Sequence, residues 1–183
     1  VNKEFKSKQF GNLKKIIFTN KITDIKKCNF FILCLPTPIH KNRTPNLEKL
    51  KDAMRTVSKI LKKGDIIIIE STVFPGVTEQ CFNYLEKKTN FKNNKDFFTG
   101  YSPERINPGD KKYTLKNITK VVAIETRDKK ILNKVFTIYK NISKKLIKTT
   151  GIKEAETAKI IENIQRDLNI AFVNEVLLIC KKL

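Results

Sequence analysis

Apolar residues in this chain gather in short unbroken runs, separated by longer stretches in which they are spaced. Residues 30–35 read FFILCL and stop at Pro36, and residues 66–69 read IIII before Glu70. Runs of that length suit strands buried on both faces of a sheet. Lys15 to Thr19, Phe97 to Tyr101, Thr119 to Ile124 and Leu146 to Thr149 read as further strands. Between Asn46 and Lys62, Leu47, Leu50, Ala53, Met54, Val57, Ile60 and Leu61 recur at three- and four-residue steps, which predicts a helix with one buried stripe. Gly64 is expected to close it with a left-handed cap. Val77 to Lys88 and Asp128 to Lys140 also read as helices, and no breaker interrupts the chain from Lys153 to Leu183, which predicts one long helix. Such alternation with continuous apolar strands predicts an α/β fold, a parallel sheet with helices on both faces.

Composition narrows the class. A chain of 183 residues, 40% hydrophobic, can fill a core and suits one domain, or one domain and the start of another. No apolar run reaches the roughly 18 residues of a membrane span. The opening VNKEFKSKQF lacks the apolar stretch of a signal peptide and does not start with Met, so a cytoplasmic piece of a longer polypeptide is expected, with no membrane partner. Cys28, Cys34, Cys81 and Cys180 form no CxxC pair, and His40 is the single histidine. That predicts no metal centre and reduced, mostly buried thiols. The formal charge of +20 admits a nucleic-acid-binding module, because lysines that neutralise phosphates release counterions. Against it, the lysines are spread along the chain and the arginines are five: Arg43, Arg55, Arg105, Arg127 and Arg166. Abundant Lys, Asn and Ile fit an A+T-rich coding sequence, so no nucleic-acid partner is expected, although the charge should help attract an anionic ligand.

In open parallel sheets, ligands bind beyond the carboxyl ends of the strands. Three polar stretches lie there: PTP (36–38), STVFPG (71–76) and SPERINPGD (102–110). Each joins hydroxyl or charged residues to prolines or glycine, which fix the backbone. The third frames Glu104 and Arg105 between two prolines, more than a solvated ion pair needs. On the long helix, Lys159, Asn163 and Arg166 share one stripe at steps of four and three, suited to a sugar or phosphate-bearing ligand. Ala155, Ala158, Ile161, Leu168 and Phe172 offer a competing apolar face, and periodicity leaves open which face is buried.

YSPERINPGD (101–110) and AETAKIIENIQRDLNIAFVNE (155–175), with LPTPI (35–39) and ESTVFPG (70–76) in order before them, resemble the UDP-glucose/GDP-mannose dehydrogenase family. The closest likeness is to the branch acting on UDP-N-acetylglucosamine, -galactosamine or -mannosamine for bacterial surface polysaccharides, and it covers the chain from about Phe10. The resemblance implies the later part of a Rossmann-type parallel sheet with flanking helices, followed by a long central helix. It implies NAD as cofactor, a homodimer through the long helix, and oxidation of a UDP-sugar C6 alcohol to a carboxylate through an aldehyde and a cysteine thioester. Thr37 and Thr72 would line the NAD site, and Thr72 would help hold the hydrolytic water. Glu104 would lie near cofactor and reacting carbon as general base through that water. Arg105 and Ile106 would contact the nucleotide sugar, and Lys159, assisted by Asn163, would stabilise oxyanion character at C6. Arg166 would reach the substrate, across the dimer.

The same resemblance marks departures. The opening stretch holds a lone Gly11 in place of GxGxxG, and no GGHC-like segment carries a nucleophilic cysteine. Cys34 and Cys81 read instead as core thiols and Cys180 as a helix-face residue, while VVAI (121–124) lacks the family's Ser-Gly. The expected division is a partial NAD-binding domain over 1–150, lacking its GxGxxG start, and the beginning of a central dimerisation and substrate domain over 151–183. Alone, the segment is expected to be inactive; an inactive remnant or scaffold subunit and a basic nucleic-acid-binding module are the alternatives.

Overall fold

The computed structural model describes residues 16–105, 116–149 and 151–183. Among the described residues five strands form one sheet in chain order: β1 (Phe30–Leu33), β2 (Ile66–Ile69), β3 (Phe98–Tyr101), β4 (Thr119–Ile124) and β5 (Lys145–Thr149). Five helices accompany them among these residues: α1 (Ile22–Ile25), α2 (Glu48–Ser58), α3 (Val77–Thr89), α4 (Lys129–Ile142) and α5 (Ile152–Cys180). β1, β2 and β3 run parallel, as do β4 and β5. β4 instead runs antiparallel to β3, with Gly100 opposite Ile124 and Tyr101 opposite Ala123. Parallel neighbours need a crossover, usually helical, and the sequence between Tyr101 and Thr119 carries no helical apolar pattern, so β4 returns alongside β3.

All four isoleucines of β2 are 0% exposed, and alternation sends them to two different cores. Ile67 and Ile69 pack with Leu50, Met54, Val57, Val77 and Leu85 from α2 and α3, together with Ile152 and Ala155 from α5. Ile66 and Ile68 pack with Phe98, Val122, Ile124, Val135 and Tyr139 on the α4 side. Burial on both faces removes any place for a polar residue in IIII, and each such side chain contributes about 1.5–3 kcal/mol. The close approach of β4 depends on Gly100. A Cβ there would lie 2.6 Å from the Ala123 carbonyl oxygen and 2.8 Å from Ile68 Cδ1.

Several expectations need correction. Residues 16–19 join no strand among the described residues; Ile17 is 81% and Phe18 83% exposed, and Lys15 lies outside the described residues, as does Gly11. A local turn follows this short apolar run. The Thr19 hydroxyl donates to Asp24 Oδ2 at 2.6 Å and accepts from the Lys21 N–H at 3.0 Å, leading the chain into α1. α2 ends at Ser58, so Gly64 (φ +84°) is no helix cap. It serves the turn into β2, its N–H donating to the Asp96 carbonyl at 2.7 Å. α4 starts where Asp128 accepts from the Lys130 and Ile131 N–H groups at 2.8 and 3.3 Å. Cys34, expected in the core, is exposed beyond the end of β1, as are Cys28 and Cys180 elsewhere; Cys81 is buried. Burial first, and Glu156 second, push the Cys81 thiol up to about 12.

Candidate functional site

The three proline-framed loops leave the sheet at the carboxyl ends of β1, β2 and β3; the first two are stitched to each other, and the start of the third is tied to β2 and β4. Ser71 Oγ accepts the Leu35 N–H at 3.0 Å and donates to the Leu33 carbonyl at 3.4 Å, joining the ends of β1 and β2. Thr37 Oγ1 donates to the Thr72 carbonyl at 2.8 Å, and both threonines are half-buried. Ser102 donates its N–H to Ile69 O at 2.9 Å and its hydroxyl to Val121 O at 2.8 Å, so the third loop starts from a fixed point. Two residues later Glu104 is exposed, and its Oε1 accepts the Arg105 N–H at 2.7 Å.

Behind the loops lies a buried polar network. Lys120 Nζ is 3.0 Å from Glu70 Oε2, and the Tyr139 hydroxyl donates to Glu70 Oε1 at 2.6 Å. The ammonium also sits 5.6 Å from the Tyr139 ring centroid, a cation–π distance. The Cys34 thiol lies 3.9 Å from Glu70 Oε2. Burial, then the Glu70 charge, push the Tyr139 phenol upward; Cys34 is exposed as a residue, but its sulfur is partly covered, and this desolvation followed by the Glu70 charge raises its thiol too. A thiol held protonated in this way is a poor nucleophile.

The long helix brings the second half of the site. Its first turns bury Ile152, Ala155, Glu156 and Lys159 against the sheet, whereas Ile161, Leu168 and Phe172 are 60, 63 and 70% exposed. Of the competing apolar stripe only the first residue, Ala155, is buried, and Ala158 is exposed; the polar stripe faces inward along more of its length, with Lys159 buried and Asn163 and Arg166 half-buried. Arg105 meets this stripe with both arms of its guanidinium. Nε and Nη2 donate to the two oxygens of Glu162, each at 3.0 Å, a bidentate pair. Arg166 Nη2 lies 3.9 Å from Glu162 Oε1. Burial would raise the Glu162 carboxyl, but the Arg105 hydrogen bond and the charges of Arg105, Lys159 and Arg166 outweigh it and hold the group below the usual carboxylate value. Burial lowers the Lys159 ammonium below the ordinary lysine value; Arg166 and Arg105 add to this, and Glu162 and Glu104 oppose it. A cavity of about 300 Å³ opens among Pro103, Arg105, Val121, Thr149, Ala158 and Lys159.

The folded chain thus gathers Glu104, Arg105 and Lys159, with Asn163 and Arg166 further along the same helix. Thr37 and Thr72 pair on the adjoining loops. Ile106 lies outside the described residues, as do Asn107–Asp110. Sequence reasoning missed Glu162, Glu156 and the Glu70–Lys120–Tyr139 network. Two signals were available: an acid closing IIII, and a lysine inside the apolar strand TKVVAI. Glu162 gave a weaker one, an acid three residues after Lys159 on a stripe of cations. Among the described residues no group of three or more His, Cys, Asp or Glu side chains could hold a metal ion, and no helix is long and apolar enough to cross a membrane.

Comparison with known proteins adds an independent line. Residues 4–143 match the NAD binding domain of the UDP-glucose/GDP-mannose dehydrogenase family, and residues 153–183 match its central domain. A UDP-N-acetyl-D-glucosamine 6-dehydrogenase of Pseudomonas aeruginosa is 44% identical over 182 residues, covering 98% of this chain and 43% of that protein. A UDP-N-acetyl-D-mannosamine dehydrogenase of Pyrococcus horikoshii is 34% identical over 177 residues, 94% of this chain and 40% of that protein. The solved structure of a UDP-D-ManNAc dehydrogenase from Pyrococcus horikoshii superposes with a TM-score of 0.78 at 34% identity, covering 86% of this chain and 37% of that one. The chain therefore spans about two fifths of the length of these relatives.

Proposed function

Because the chain belongs to the UDP-glucose/GDP-mannose dehydrogenase family, we propose that it forms part of an NAD-dependent 6-dehydrogenase acting on UDP-N-acetylhexosamines for surface polysaccharide synthesis. The observation that carries this reading is the meeting of Glu104, Arg105 and Lys159 at the sheet edge, beside a cavity of about 300 Å³. The meeting of the two family matches between residues 143 and 153 supports a division near 150, with a nucleotide-binding part before it and the start of a central helical part after it. The named activities of the relatives support the substrate class, and such a substrate supports a cytoplasmic location.

The residues present fit the cofactor in their chemistry. Two half-buried threonines joined through Thr37 Oγ1 and the Thr72 carbonyl offer small donors and acceptors at the carboxyl ends of β1 and β2, in turns fixed by Pro36, Pro38 and Pro75. Thr37, Thr72 and Glu104 would hold it. When bound, NAD⁺ accepts the hydrides, two being consumed as CH₂OH and water become COO⁻ with release of three protons. Around that exchange, Lys159 donates to the oxyanion forming at C6, where a fixed cation in a dry site stabilises developing charge most. Its lowered affinity for the proton lets it give that proton up more readily than an exposed lysine. Asn163, one turn further on, adds an amide donor. Thr72 holds the water that Glu104 deprotonates. Arg105, steadied by Glu162, contacts the nucleotide sugar together with Ile106, and Arg166 reaches it from further along α5. The exposed stripe of Leu168, Phe172 and Val176 supports a homodimer along α5, which would cover it.

A graft tests the reading. Replacing the matching segment of the Pseudomonas aeruginosa relative with these 183 residues should yield a protein that reduces two NAD⁺ per UDP-N-acetylglucosamine, followed as NADH absorbance. Lys159→Ala in the graft should lower kcat by about 10²–10³. A folded graft whose turnover is untouched by Lys159→Ala would overturn the role given to that residue.

A further inference from the structure

Glu156 is 0% exposed, and it is used by none of the steps above. Its carboxylate accepts two backbone hydrogen bonds, from the Gly76 N–H to Oε2 at 2.6 Å and from the Thr78 N–H to Oε1 at 2.9 Å. Both donors belong to the start of α3, whose N-cap is Gly76 at φ +96°, a residue with no side chain to cap with. The first N–H groups of a helix have no partner within it, and they present positive potential. Here both needs are met by a carboxylate from α5, 80 residues further along the chain. A second contact joins the same two helix starts at the surface, Lys153 Nζ to Glu79 Oε2 at 2.5 Å.

The position of this cap matters for the site. Gly76 ends the STVFPG loop that carries Thr72, and Lys159 lies one turn beyond Glu156 on the same helix face. Successive residues of an α-helix are rotated by about 100°. Two short bonds to one carboxylate therefore fix both the rotation of α5 and its height against the loop. Thr37 extends the linkage through its bond to the Thr72 carbonyl. We propose that Glu156 is a positioning residue: by capping α3 from α5 it sets Lys159 in register with the Thr72 loop. This rests on the reading of Lys159 given above, and the test separates the two.

The 183-residue protein is reductively methylated with ¹³C-formaldehyde, and the Lys159 resonance is identified by its loss in Lys159→Arg. Groups facing Lys159 are Glu162, Glu104, Arg105 and Arg166, and all are left unchanged. In the unsubstituted protein Lys159 should titrate below the exposed lysines. In Glu156→Gln its midpoint should return toward theirs, and hydrogen exchange at the Gly76 and Thr78 amides should quicken about ten- to a hundredfold. Lys153→Ala, which breaks the surface contact alone, should leave Lys159 where it was. A Glu156→Gln protein that melts earlier but keeps the Lys159 midpoint and both amides protected would make Glu156 a stabilising residue only, and the proposal would fall. Should Glu156→Gln fail to fold, Glu156→Asp keeps the charge on a shorter arm and is read in the same way. If Lys159 moves with Glu156 while Lys159→Ala leaves turnover of the graft intact, positioning stands and the catalytic reading fails.

Discussion

Lys120→Met is expected to be among the most damaging substitutions in the chain. Lys120 is 3% exposed and Glu70 12%, with Nζ and Oε2 3.0 Å apart. Removing one partner of a buried pair leaves an uncompensated charge and costs about 3–5 kcal/mol. The Tyr139 hydroxyl still donates to Glu70 at 2.6 Å, a hydrogen bond to a charged group. Its contribution of about 1.5–3 kcal/mol places the expected loss near the lower end of that range. The cation–π contact at 5.6 Å is lost as well, but a Met thioether over the Tyr139 ring offsets part of it. Glu70→Gln should cost a similar amount, since it leaves Lys120 without its carboxylate. The double variant removes both charges and should cost far less than the two losses added, because a buried pair is often no more stable than an apolar replacement. Urea unfolding followed by circular dichroism supplies the four corners of the cycle, with unchanged m-values as the condition for reading midpoints as stability. A loss under about 1 kcal/mol for Lys120→Met, the value of an exposed pair, would refute the reasoning. So would a double variant as costly as the sum.

Gly100→Ala should cost about 1–3 kcal/mol by overpacking, because the nearest obstacle to a Cβ, at 2.6 Å, is the Ala123 backbone oxygen; a melting temperature equal to the parent's would contradict this. Alkylation by iodoacetamide at mildly alkaline pH, followed by mass spectrometry, should reach exposed Cys28 and Cys180 first, Cys34 later because its thiol is raised, and Cys81 after unfolding; early labelling of Cys81 would count against its burial. Glu162 binds its proton less tightly folded than unfolded, so its contribution is present above the ordinary carboxylate value and is lost as pH falls through the lower folded one. Glu162→Gln should therefore flatten the acid limb of a melting-temperature profile, and an unchanged limb would show that other carboxylates set it. Lys159 has the opposite consequence. Its folded pKa lies below the ordinary 10.5, so stability from this group rises as pH climbs from the folded value to the unfolded one, and Lys159→Met should remove that rise.

The strands were legible where burial on both faces forced continuous apolar runs, and Ile66–Ile69 is the clearest case. β4 was legible as a strand but not in direction, because direction depends on what lies between strands, and no helical pattern separates β3 from β4. The run at residues 16–19 misled for a related reason. An apolar run becomes a strand when a neighbour supplies its ladder; none of the described strands pairs with residues 16–19, and the chain turns into α1 at Thr19 and Asp24 instead.

The long helix shows the limit of hydrophobic pattern most clearly. Its two stripes competed on periodicity, and counting apolar residues alone would have buried Ile161, Leu168 and Phe172. The fold buries Glu156 and Lys159 beside Ile152 and Ala155, and the start of α3 presents unpaired N–H groups that the Glu156 carboxylate reaches. A burial penalty for that carboxylate is offset by two short bonds and the helix dipole, whereas the apolar stripe loses nothing relative to the unfolded chain by staying open. The partner of a buried charge lies 80 residues away in sequence, beyond the reach of any local pattern. The candidate residues could thus be named from residue type, spacing and resemblance, while their geometry is set by contacts such as this one and the clamp of Arg105 on Glu162, which form when distant segments meet.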